Sequence, residues 1–184
     1  MKFHYAGKYN GDENSLPQRE HPENYVPFKE TDMKTFAVIM NILGLVITFI
    51  LLVIVDYVSK ERLSLLGIFL SLVSLVPHEF LHALCFKNDV YMYQNLKQGM
   101  LFVCGTEDMS KARFIMMSLC PNIVFGFIPF ILFLIFPNLT VLGTLGALAI
   151  GMGAGDYYNV FNALTQVPKD AKIYLSGFHS YWYK

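Results

Sequence analysis

Four long apolar stretches, residues 35–58, 63–86, 114–136 and 139–164, constrain this chain more than any other feature. A helix needs ~20 predominantly apolar residues to cross ~30 Å of hydrocarbon, and each stretch reaches that length. Backbone polar groups inside a bilayer must be satisfied within the segment, which selects helices. Composition agrees: hydrophobic residues make up 54% of the 184 positions and charged residues 15%, against about 25% charged in soluble chains. The expected fold is therefore an all-α integral membrane protein with four transmembrane helices. Pro121, Asn122 and Pro129 predict a kinked or broken third helix, which membranes tolerate when neighbours satisfy the freed backbone.

Three segments follow from these boundaries. Residues 1–34 are polar, carry Pro17, Pro22 and Pro27, and read as an irregular tail. Residues 35–164 form the four-span domain, and residues 165–184 a second polar tail. Between the second and third stretches, residues 88–113 mix Tyr91, Tyr93, Leu101, Phe102 and Val103 with polar side chains. They are expected to form a short extended or hairpin segment at the membrane surface. No apolar run lies close to the first residue, so the first stretch is expected to be retained as a span. Four spans put both tails and the middle loop on one side. That side holds twelve Lys and Arg, among them Lys97 and Arg113, while Lys60 and Arg62 alone face the other. The positive-inside rule then places both termini in the cytoplasm of a multi-pass protein of the cell membrane.

Net charge is zero, so nucleic acid is not an expected partner. The cysteines, Cys85, Cys104 and Cys120, form no C-x-x-C pair and are odd in number. They are expected to pack as small apolar residues rather than form a disulfide framework or a zinc site.

The second stretch carries the chemistry. Pro77-His78-Glu79-Phe80-Leu81-His82 contains H-E-x-x-H. Residues four apart on a helix share a face, so His78 and His82 can bind one metal ion. Glu79 can then take a proton from water activated by that ion. Zinc suits imidazole and carboxylate donors. Three titratable groups within five residues of an apolar span are functional candidates, since one such residue at a helix centre costs ~2.5–3.5 kcal/mol on insertion scales. The competing reading is a hydrogen-bonded polar patch or a proton relay.

Catalytic zinc usually has three protein ligands. The extended pattern H-E-x-x-H-x-x-G-x-x-H fails, because Cys85 and Asn88 stand where glycine and the third histidine belong. Beyond Glu79, Asp156 is the only acid inside an expected span. At ~1.5 Å per residue, His78 and His82 lie roughly 20 and 26 Å along the second helix and Asp156 roughly 24 Å along the fourth, so the three match in depth. Gly143, Ala147, Gly151 and Gly155 would let the fourth helix approach the second closely. A polar residue at a helix end, and ordinary helix packing, are the plain alternatives. Asn122 could contact a substrate carbonyl or an oxyanion, or cap backbone freed by Pro121. Asn159, with Asn162, could orient ligands or bind substrate backbone, or bond between helices.

His78-Glu79-Phe80-Leu81-His82, Pro121-Asn122, Gly155-Asp156 and the Pro168-Lys169-Asp170-Ala171 turn together resemble the zincin peptidases catalogued as domain of unknown function 3267. That family in turn is similar to site-2 proteases, which pair H-E-x-x-H with a later Leu-Asp-Gly whose aspartate binds zinc. Here Gly155 precedes Asp156 and Tyr157 follows it, so that motif is not reproduced. The resemblance implies a zinc-dependent intramembrane endopeptidase acting on a membrane protein or peptide substrate. His78, His82 and Asp156 would hold Zn2+, and Glu79 would act as base. The rival expectations are a non-catalytic zinc-stabilised binding protein of the membrane and a proton relay or transporter.

Overall fold

The computed structural model describes residues 1–95 and 100–184. Lys97, counted above among the basic residues of the middle loop, lies outside the described residues. The chain is not all-α. Among the described residues, seven strands form two sheets: β1 (Lys2–Lys8), β2 (Val26–Pro27), β3 (Asp89–Asn95), β4 (Met100–Cys104), β5 (Met109–Ser110), β6 (Lys172–Ser176) and β7 (His179–Tyr183). The helices are α1 (Met33–Ser59), α2 (Leu65–Val73), α3 (Leu75–Leu84), α4 (Lys111–Pro121), α5 (Ile128–Ile135), α6 (Thr140–Met152) and α7 (Ala154–Gln166). A wide-turn segment, Asn122–Phe127, joins α4 to α5.

The chain divides into two compact units. One comprises residues 1–30, 79–118 and 159–184 and holds both sheets. The expected hairpin exists, with β3 and β4 pairing antiparallel from Tyr91↔Cys104 to Asn95↔Met100. It is joined by β1, which runs parallel to β3. The second sheet has the order β2-β7-β6-β5. A two-residue loop, Gly177-Phe178, turns β6 into β7, with Gly177 at φ 61. That conformation suits glycine in a tight hairpin.

These strands overturn the all-α expectation, and the reason is physical. Lys2–Lys8 and His179–Tyr183 are too polar to pass for core elements, but they are rich in aromatic residues that pair well on a pleated surface. The first thirty residues are fastened rather than loose. Arg19 donates to Asp108 (2.8 Å) and stands 4.2 Å over the Tyr174 ring. His179 lies between Glu13 and Glu30, at 3.2 and 3.1 Å. Phe28, Ala83, Phe86, Val90, Phe114, Met117, Ala163 and Ile173 form this unit's core. A fully buried Phe or Ile stabilises by about 1.5–3 kcal/mol.

The other unit comprises residues 31–78 and 119–158. Asp32 opens α1 by accepting from the backbone N–H of Lys34 and Thr35, a standard N-cap. Ser64 does the same for α2 through Gly67 N–H. Among the described residues, three helices, Lys34–Ser59, Leu65–Leu84 and Lys111–Ile135, are long and apolar enough to cross a membrane. The fourth apolar stretch is not a single span. It breaks at Gly153 into α6 and α7, each of 13 residues. Helix α6 owes its place to small side chains: Gly143, Thr144, Gly146, Ala147, Ala149 and Gly151 are buried against α1, α2 and α5. Outward on α1 and α2 stand apolar residues such as Leu45, Phe49 and Leu65, at 70%, 69% and 82% exposure. Surfaces of that kind face lipid or a partner.

Candidate metal centre

Helix α3 carries the three H-E-x-x-H side chains. Pro77 lies in its first turn, where no N–H is required. Lacking one, Pro77 cannot bond to Val73, and the helix is interrupted at Ser74 between α2 and α3. Ser74 and Ser71 turn their hydroxyls to the carbonyls of Ser71 and Ile68, both at 2.7 Å. Downstream, His78, Glu79 and His82 each offer one ligand atom, and these atoms lie within 4.8 Å of one another. His82 is buried, while His78 and Glu79 are half-buried.

His82 is fixed by a carbonyl that a proline sets free. Its Nδ1 lies 2.8 Å from the carbonyl oxygen of Met117. A carbonyl only accepts, so Nδ1 carries the proton and Nε2 presents its lone pair. Met117 is four residues before Pro121, whose missing N–H would otherwise bond to that carbonyl. The wide turns of Asn122–Phe127 follow directly, as expected where proline disturbs the helix ladder. Metal-binding histidines commonly donate their second nitrogen to a carbonyl in this way.

Asp156 stands in the first turn of α7, which begins because Gly153 accepts from the N–H groups of Asp156 and Tyr157 at 3.0 and 3.2 Å. Its Oδ2 lies 3.3 Å from His78 Nε2. Two ligands of a tetrahedral zinc at ~2.0–2.1 Å stand roughly 3.3 Å apart, so this pair has the spacing the ion requires. Imidazole and carboxylate donors suit zinc by their chemistry, and the donors that converge within 4.8 Å are those of His78, Glu79 and His82. The small-residue stripe does not bring Asp156 to α2. A side chain at Gly151 would strike Thr48 and Gly44 of α1, and one at Gly143 would strike Phe133 of α5. It is Gly67 of α2 that meets Val141 and Thr144.

Asn122 is fully buried and donates from Nδ2 to Asp156 Oδ2 at 2.7 Å. Its amide is thus directed at the carboxylate. Tyr157 donates its hydroxyl to Asn122 Oδ1 at 3.4 Å. Asn159 lies three residues beyond Asp156 on α7, half-buried.

Sequence reasoning missed several supporting groups. Arg113 donates from Nε to the carbonyl of Cys85 at 2.8 Å, and from Nη2 to that carbonyl and to Glu107. Glu107 accepts from the N–H groups of Lys87 and Asn88 at 2.8 and 2.6 Å. Together they close the C-terminal end of α3, three residues after His82. The Met117 carbonyl was foreshadowed only by the four-residue spacing to Pro121. Cys104 is buried in β4, and burial followed by the charge of Glu79 pushes its thiol up to about 12. It is no nucleophile at neutral pH.

Residues 69–172, more than half of the chain, match the family model described as Putative zincin peptidase. No curated protein and no solved structure matches the chain.

Proposed function

The chain belongs to the zincin peptidase family, and on that premise we propose that it is a zinc-dependent intramembrane endopeptidase acting on membrane-protein segments. One observation carries the reading: the His78, Glu79 and His82 donors converge within 4.8 Å on an apolar helix long enough to enter a bilayer. His78 and His82 would hold the ion, with Asp156 as third ligand. When bound, zinc supplies Lewis-acid polarisation of the scissile carbonyl and makes water acidic near neutral pH. Glu79 takes the proton from the attacking water and returns it to the leaving amine, the role of a general base and then acid. His82 keeps its donor nitrogen aimed through the Met117 carbonyl, and Asp156 is held against His78. Apolar helix surfaces around the site would exclude bulk water and receive a membrane-borne substrate. With α6 and α7 together making a fourth crossing broken at Gly153, both termini and the strand-rich residues would lie on the cytoplasmic side.

The test compares wild type with Glu79→Gln in membranes, reading new protein N-termini by mass spectrometry and zinc by elemental analysis. Both proteins should hold one zinc per chain, and only wild type should generate new termini. Identical sets of termini would leave zinc a structural role and end the peptidase reading. The His78–Asp156 contact would also serve a proton relay, and a purified chain without zinc would favour that alternative.

A further inference from the structure

We propose that Asn122, admitted by Gly153, is the positioning residue that sets Asp156 as a zinc ligand. The inference rests on the zinc reading above and concerns residues within residues 119–158.

The observations are geometric. Asn122 is wholly enclosed, and a buried amide needs hydrogen-bond partners. Its Nδ2–H donates to Asp156 Oδ2 at 2.7 Å, the same oxygen that lies 3.3 Å from His78 Nε2. This bond turns the carboxylate toward the imidazole. The opposite end of the amide receives the Tyr157 hydroxyl, which fixes which end of Asn122 faces Asp156. The side chain reaches this place only because residue 153 has no Cβ: a methyl there would stand 1.8 Å from Asn122 Oδ1 and 2.6 Å from its Cγ. Gly153 has φ −77 and ψ 8, a conformation open to any residue. Its requirement is therefore space for Asn122, not backbone freedom. An amide in this position differs from an oxyanion donor: it acts through a ligand and not on the substrate.

Partners that orient metal ligands typically contribute 10–100-fold to metal affinity. The experiment measures the zinc dissociation constant by chelator competition for the full chain in detergent, with thermal unfolding of the metal-free protein as a folding check. Asn122→Ala should weaken zinc binding about 10–100-fold. Gly153→Ala should do the same by displacing Asn122, and should add nothing in an Asn122→Ala background, where the space is vacant. Tyr157→Phe should weaken zinc about threefold, in keeping with the loss of one hydrogen bond. Should Asn122→Ala fail to fold, Gly153→Ala and Tyr157→Phe decide the matter by the same reading. Wild-type zinc affinity in the Asn122 variant with slowed cleavage overturns the inference, assigns the amide to substrate, and leaves the peptidase reading standing. A wild type that binds no zinc overturns both.

Discussion

Replacing Pro121 by alanine should separate stability from metal binding in opposite directions. The substitution restores one N–H four residues after Met117, whose carbonyl now accepts from His82 Nδ1 at 2.8 Å. Proline in a helix interior is disfavoured by about 3 kcal/mol relative to alanine. The wide turns at Asn122–Phe127 already absorb part of that strain, so a gain of about 1 kcal/mol is expected. The regained helical bond competes with His82 for one oxygen. A neutral hydrogen bond contributes about 0.5–1.5 kcal/mol, so losing it should weaken zinc binding roughly two- to tenfold, since 1.4 kcal/mol is a factor of ten. Differential scanning calorimetry of the metal-free chain and chelator competition on the same sample give both numbers. Pro121→Ala with unchanged zinc affinity and higher stability would refute the link between the proline and the histidine. Lower stability would refute the assignment of strain to this turn.

Further outcomes are expected at other positions. Asp156→Ala should lose zinc at least 100-fold more readily than wild type while the His78 and His82 pair remains; full zinc retention on elemental analysis would remove Asp156 as a ligand. Arg113→Ala leaves the Glu107 carboxylate, 5% exposed, without its cation, and should destabilise the chain by about 3 kcal/mol in denaturant titration. Cys104 should resist iodoacetamide at pH about 9, where a free thiol is substantially ionised, because burial holds it protonated up to about 12. Its folded pKa is raised, so its contribution to stability is full below the unfolded value and is lost as pH climbs from about 9 toward 12. Alkylation of the folded chain at pH about 9 with mass-spectrometric mapping checks this.

The sequence was informative where physics is local. H-E-x-x-H fixes its own geometry through helix periodicity, so the proximity of His78, Glu79 and His82 was legible from spacing alone. Depth matching singled out Asp156, and its carboxylate does meet His78. The expected route did not hold, because the glycine stripe faces α1 and α5. Apolar run length identified three long helices but misjudged the fourth stretch, which breaks at Gly153 into α6 and α7. The sheets were not legible, since β1 pairs with β3 across a little under half of the chain and β2 with β7 across most of it. Strands such as Lys172–Ser176 are too short and mixed to stand out until their partners are known. The clamp of Arg113 on Cys85 was hidden for the same reason: nothing in the local pattern around residue 113 names residue 85.

The pairing of Val26 with Trp182 also orders events during synthesis. Strand β2 must wait until the long stretch of chain between it and β7 has been made before its neighbour exists. Contacts this distant in sequence close slowly, because loop entropy must be overcome before pairing rewards it. The stretch around Tyr25 and Val26 is thus open to chaperones or to misplaced pairing until Trp182 has been made, and the sheet it joins closes only after that.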